Sequence, residues 1–275
     1  MKIFHHDDTD GRCSAAVLLK SLAGMPVNVV EVSYERGLPL ESIRKNESIY
    51  IVDFSMQPAA SWKKLLAVTK NVVWIDHHAS AIDAAKGTPA EDLEGIRDVN
   101  DSAALLTWKY CFRKSPPEAV KLVSDFDTWK HAFGEKSLCF VAGLTGRDEP
   151  ENPLWKDLLA DDTRVVLEVI EQGRWIRRAL LSKAAEVVEK FGFEAKFAGH
   201  KCFVVNSEGL NSEAFGEKIN RYDIVATFVW TGKEYTVSLY TVRPDLDVGK
   251  IAKLYGGGGH KGAAGFQCKQ NPFKK

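Results

Sequence analysis

No apolar run in the 275-residue sequence approaches the roughly 20 residues that a membrane-spanning helix requires. That absence argues against a helical membrane protein and against a membrane partner. The opening residues, Met1-Lys2-Ile3-Phe4-His5-His6, lack the uninterrupted apolar core of a secretory leader, so a cytoplasmic location is expected. Cysteine is scarce. Cys13, Cys111, Cys139, Cys202 and Cys268 are odd in number, widely spaced and free of any C-x-x-C pattern. A zinc finger is therefore unsupported, and buried free thiols are expected. Net charge of either sign is missing too, with 37 Lys/Arg against 37 Asp/Glu. Broad duplex binding, which needs many phosphate contacts, is disfavoured. The balance is uneven along the chain: residues 196–275 hold 12 basic and 7 acidic residues, while residues 1–195 hold 25 and 30. No internal repeat or low-complexity tract is present.

What is present is a set of apolar stretches that run into acids and histidines. Val72-Val73-Trp74-Ile75 runs into Asp76-His77-His78. Lys2-Ile3-Phe4 runs into His5-His6-Asp7-Asp8-Thr9-Asp10-Gly11, and Ser48 to Val52 into Asp53. Continuous apolar runs of this length read as buried parallel strands, and ligands in open α/β sheets sit at the carboxyl ends of such strands. Helical patterns follow, at 11–22 and, after Pro58, as far as Val68. The alternation predicts a parallel, doubly wound α/β sheet over residues 1–160. Residues 79–100 read as irregular. Ser102 to Phe112 and Glu118 to Ser124 read as helices, and 130–160 as helical but poorly periodic. One long amphipathic helix is predicted over Thr163–Phe191, inside a linker at 161–192, with Gly173 as its weak point. Residues 193–275 read as a smaller α+β domain.

Six groups carry candidate chemistry: His6, Asp8, Asp10, Asp53, His77 and one of Asp125 or Asp127. Carboxylate and imidazole without thiolate favour manganese or magnesium. The set exceeds what one octahedral ion needs, and it suits two ions sharing a carboxylate, with Asp53 as the bridge. Two metals about 4 Å apart can clamp a phosphoryl oxygen and generate hydroxide from a bridging water. Any one of these residues alone is better explained as a cap or a hydrogen-bonding group; the conjunction favours a metal site. Gly256-Gly257-Gly258-Gly259 before His260 and Lys261 are more glycines than a turn requires, which favours close approach of an anion.

With these residues in view, the sequence resembles the DHH-family phosphoesterases. His6-Asp7-Asp8-Thr9-Asp10-Gly11, Val52-Asp53, Asp76-His77-His78 and Ser124-Asp125 look like the family's four motifs, and Gly256 to Gly265 looks like the signature of its associated C-terminal domain. The resemblance covers nearly the whole chain. It implies that His6, Asp8 and Asp53 hold one metal and Asp10, Asp53, His77 and Asp125 the other. His78 would face the scissile phosphate, and Gly256–Gly259 with His260 would hold the terminal nucleotide. One departure stands out: related nano-RNases often carry an arginine where this chain has Tyr240, so that either Arg243 substitutes for it or Tyr240 stacks on a base.

The expected activity is a metal-dependent phosphodiesterase, an exonuclease acting on short single-stranded oligonucleotides or linear dinucleotides with manganese. The alternatives are a phosphatase for a bisphosphorylated adenosine, a cyclic-dinucleotide phosphodiesterase, and a binding module that has lost catalysis. Because all six ligand positions are filled, the last is the weakest. The sequence leaves monomer and homodimer equally open.

Overall fold

A computed structural model of the chain describes residues 1–273. It divides into two compact units, Met1–Ile176 and Arg177–Lys275. Among the described residues no helix is long and apolar enough to cross a membrane.

The first unit is built on four parallel strands, β1 (Lys2–His6), β2 (Asn28–Val32), β3 (Ile49–Val52) and β4 (Val72–Ile75), in the order β2-β1-β3-β4. Connections leave β1 and β3 in opposite directions, so the crevice between their carboxyl ends is the topological switch point. The helices of this unit are α1 (Thr9–Ser21), α2 (Trp62–Val68), α3 (Ala79–Ala85), α4 (Ala103–Cys111), α5 (Glu118–Asp127), α6 (Glu135–Leu144) and α7 (Leu154–Leu158). Alternation along each strand feeds two cores. Phe4, Ile49, Ile51 and Trp74 join Trp62 and Leu65 on one face, while Ile3, Val52 and Ile75 join Ala15, Leu18 and Leu106 on the other. The sheet is therefore covered on both sides, as the apolar runs require.

Two differences from the sequence reading concern residues 79–100. They hold α3, and residues 94–97 run parallel to β4, with Trp74 N–H donating to the Glu94 carbonyl at 2.8 Å and Asp76 N–H to that of Ile96 at 3.1 Å. Gly95 has φ +122°, and a β-carbon there would strike the Trp74 carbonyl. A segment with only two bridges and a glycine carries no period-2 signal, so its sequence looks irregular.

Helix α8 (Thr163–Phe191) has the limits that its periodicity predicts. Val166, Val169 and Ile170 belong to the core of the first unit, with Cys139, Phe140 and Leu144 of α6. Gly173 is a contact point with α6. A β-carbon on it would strike the Cys139 carbonyl, and one on Gly143 would strike that of Val169, so α6 and α8 meet backbone to backbone.

The second unit is a six-stranded sheet of β5 (Gly192–Phe197), β6 (His200–Asn206), β7 (Ile224–Trp230), β8 (Tyr235–Tyr240), β9 (Gly258–Gly259) and β10 (Ala263–Cys268), in the order β5-β6-β7-β8-β10-β9. Only β6 and β7 are parallel; every other pair is antiparallel. Gly216, at φ +48°, separates a short 3-10 turn (Ser212–Phe215) from α9 (Lys218–Arg221). Helix α10 (Val248–Leu254) packs Ile251 and Ala252 on one face of the sheet. Ala184 and Val188 of α8 pack on the other, against Phe203 and Val205.

Candidate metal centre

The strand ends bring their polar residues to one edge of the sheet. Register places Phe4, Ile51 and Trp74 abreast, so His6, Asp53 and Asp76 emerge as neighbours. Asp8 caps α1 by accepting from Gly11 N–H at 2.9 Å. A β-carbon at Gly11 would collide with the His6 carbonyl, so this tight turn admits only glycine. Asp53 adopts φ +56°, a left-handed conformation rare outside glycine but tolerated best by Asp and Asn. Non-glycine residues held there cluster at functional sites.

Three overlapping groups form. His6 Nδ1 lies 2.7 Å from Asp8 and 3.9 Å from Asp53. His77 Nε2 lies 3.3 Å from Asp53, 3.3 Å from Asp127 and 3.9 Å from Asp10. His78 Nδ1 lies 3.8 Å from Asp53. Each of the sets His6–Asp8–Asp53, Asp10–His77–Asp127 and Asp53–His77–His78 brings ligand atoms within 4.8 Å of one another. Asp53 stands in two of them, as a shared ligand must.

Asp127 takes the place expected of Asp125. Helix α5 does not end at Ser124; it continues through Asp127. Residues two apart on a helix are about 200° apart around its axis, so the two acids point to opposite sides. Asp125 is spent on structure, accepting from Ala132 N–H at 2.7 Å, Phe133 N–H at 3.2 Å and Ser137 Oγ at 2.7 Å. Despite burial, those donors hold its carboxyl below the ordinary range.

The orientation of the remaining groups is fixed by the backbone. Both oxygens of Asp10 accept from the amides that open α4, Ala103 at 2.7 Å and Ala104 at 3.0 Å. Fully buried Asp76 clasps its own loop, one oxygen accepting from His77 N–H at 2.7 Å and lying 2.8 Å from His78 Nδ1. That contact raises the pKa of His78 and leaves its Nε2 unclaimed by Asp76. Burial, more than the charge of His78, lowers the pKa of His77.

The electrostatics are those of a cluster that lacks compensating positive charge of its own. Burial and then the charges of Asp10, Asp8 and Asp127 push the Asp53 carboxyl well up. Burial and then Asp10 and Asp8 push Asp127 up to about 9, and burial and then Asp8 push Asp10 up to about 7. Among the described residues both oxygens of Asp53, Oδ2 of Asp76 and Oδ2 of Asp127 are buried without a hydrogen-bond partner. Buried carboxylates are ordinarily paired or coordinated to a cation. An all-oxygen-and-imidazole donor set with orphaned oxygens fits hard divalent cations.

A pH dependence follows for the metal-free protein. Asp10 and Asp127 keep protons in the fold that the unfolded chain, with ordinary carboxyls near 3.8, releases. A folded pKa above the unfolded value means that stability falls as pH rises, here from about pH 4 up to about pH 9. Asp8 is held low by His6 and the Gly11 amide against the cost of burial, so it acts oppositely, but its contribution is complete above that lower limit. Chelated protein is therefore expected to melt progressively earlier between pH 5 and pH 8, by up to about 1.4 kcal/mol per pH unit for each group titrating. Saturating manganese should remove the trend by displacing those protons. Melting curves in chelator that stay flat or move upward with pH would contradict it.

In the second unit the glycine run has packing reasons of its own. Gly257 and Gly259 admit no β-carbon against Gly265 and Ala264, which lie on the neighbouring strand. Gly258 has open space at its β-position, His260 and Lys261 are exposed, and the His260 amide closes a turn onto the Ala263 carbonyl. Arg243 is already paired, with Asp223 at 2.6 Å and Asp245 at 3.2 Å. Tyr240 is half-buried and donates to the Leu210 carbonyl at 3.3 Å.

No family model matches the chain. It is 26% identical to the oligoribonuclease NrnB of Bacillus subtilis (strain 168), over 99% of this chain and 74% of that protein. It is also 26% identical to an uncharacterized protein of Acanthamoeba polyphaga mimivirus, over 82% of this chain; the match spans about half of that protein, 54%. Among solved structures, the DHH domain of a member of the s1p family of ribosomal proteins superposes with TM-score 0.62 at 14% identity, covering 96% of this chain and 81% of that one. The pGpG-specific phosphodiesterase PggH of Vibrio cholerae gives 0.57 at 17%, covering 98% and 93%. RecJ of Thermus thermophilus with Mn2+ gives 0.52 at 18%, covering 96% of this chain and 49% of that one. At these identities the structural likeness establishes the fold, an α/β parallel sheet followed by a separate sheet with helices.

Proposed function

We propose that this chain, a DHH-family phosphoesterase, hydrolyses short oligonucleotides or linear dinucleotides to mononucleotides with the help of divalent metal ions. The observation that carries the reading is the convergence of Asp8, Asp10, Asp53 and Asp127 with His6 and His77 at one sheet edge, with buried carboxylate oxygens left unpaired. His6, Asp8 and Asp53 would hold one ion; Asp10, Asp53, His77 and Asp127 would hold the other. Manganese is the proposed ion, with magnesium as its substitute. When bound, such ions neutralise charge on a phosphate and bring water to reactive form near neutral pH.

The chain's own residues supply the rest. Asp76 fixes the imidazole of His78 and favours its protonated form, which can donate to an oxygen of the scissile phosphate. The amides at the start of α4 hold Asp10 in place before any ion arrives. Gly256 to Gly259 with His260 would hold the far nucleotide, through the exposed His260 and the half-buried Gly258, which has open space at its β-position. Arg243 is the weaker candidate, since two carboxylates already occupy its guanidinium. A zero net charge suits a short ligand better than a long strand. We place the protein in the cytoplasm on the same reading.

The test is incubation with manganese and labelled RNA and DNA oligomers from two to about twenty nucleotides, a range wide enough for end-gripping and channel binding alike. The shortest members should be consumed fastest. Cleavage confined to the longest strands would defeat the proposal, and release of phosphate from a bisphosphorylated adenosine instead would replace it with the phosphatase.

A further inference from the structure

Of the four parallel strands, β2 is the one whose end the sequence leaves without a candidate group, yet two residues beyond it stands Tyr34. Its ring stacks on that of Phe54, with centroids 4.8 Å apart and planes at 28°, and lies 5.5 Å from the ring of His6. Phe54 is buried and directly follows Asp53, so the phenol is held beside the cluster, against His6. Tyr34 is nevertheless 38% exposed, and among the described residues no acceptor takes its O–H.

A phenol held beside His6 and Asp53 by its stack on Phe54, and open to solvent, offers a hydroxyl donor to an anionic oxygen arriving there. We propose that Tyr34 contacts the substrate, its hydroxyl donating a hydrogen bond to a non-bridging oxygen of the phosphate bound at His6, Asp8 and Asp53. The proposal rests on the phosphodiesterase reading above and adds a second phosphate donor beside His78. Tyr34 makes and breaks no bond; it holds the phosphate by a charge-assisted hydrogen bond, which is stronger than a neutral one.

Tyr34→Phe keeps the stack on Phe54 and the contact with His6 and removes only the donor. For hydrolysis of a 5′-phosphorylated adenylate dinucleotide with manganese, kcat/KM should fall about 10- to 100-fold, the usual span for one hydrogen bond to a charged group. Affinity of the manganese-loaded protein for AMP, read by calorimetry, should weaken about tenfold. The manganese-induced rise in melting temperature should match that of the unaltered protein. A variant unchanged in both cleavage and AMP affinity overturns the proposal, as does one that has lost the manganese response. If the unaltered protein cleaves no short oligonucleotide while Tyr34→Phe still loses AMP affinity, the substrate reading falls and the phosphate contact stands.

Discussion

Asp53→Asn is expected to abolish turnover while making the metal-free protein more stable. Asp53 is fully buried, both its oxygens lack partners, and neighbouring acids oppose its ionisation. Asparagine has the same shape and also tolerates the left-handed backbone at this position, so the fold gives up little. Removing a buried, uncompensated charge should stabilise chelated protein by about 1–3 kcal/mol near pH 8. With manganese the order reverses, because a ligand shared between two ions has lost its charge and binding stabilises the variant less. Hydrolysis should drop by at least about 1000-fold, on the scale of losing a principal electrostatic group. The check is a pair of melting curves, in chelator and in manganese, beside a single-turnover assay. A variant that melts earlier than the parent in chelator, or that turns over at the parental rate, would refute the assignment of Asp53 as the shared ligand.

The second large effect separates Asp127 from Asp125. Asp127→Asn should cost at least about 100-fold in rate and leave the melting temperature in chelator unchanged or raised. Asp125→Ala should do the reverse. It deprives the Ala132 and Phe133 amides and the Ser137 hydroxyl of their acceptor, a loss of about 1–3 kcal/mol, while activity below the melting transition stays within about tenfold. Full activity in Asp127→Asn, or a stable but inactive Asp125→Ala, would return Asp125 to the site.

That pair also marks how far the sequence can be read. Asp10, Asp53 and His77 are legible because each follows an apolar run, and a parallel sheet must deliver such ends to one edge. The long helix is legible because about eight turns of period sum into a strong signal. The choice between Asp125 and Asp127 turns on whether α5 stops three residues sooner or later, and helix ends carry the weakest local signal. Tyr34 is illegible for another reason: nothing in Ser33-Tyr34-Glu35 distinguishes it from a surface tyrosine, and only the pairing of β1 with β2 and β3 sets it against Phe54. The glycine run is legible as unusual, but its sequence does not disclose that Gly257 and Gly259 serve strand pairing first.

The backbone contact of α6 with α8 decides where this chain can be cut. Gly143 and Gly173 make a seam without side chains, and Val166, Val169 and Ile170 fill the core beside it. A fragment closed at residue 160 would lift that lid and present Phe140, Leu144 and Leu158 to water. One carried through residue 176 keeps the seam whole. The opening half of the helix is thus part of the first unit's own architecture, and any transplant of that unit into another protein has to bring it along.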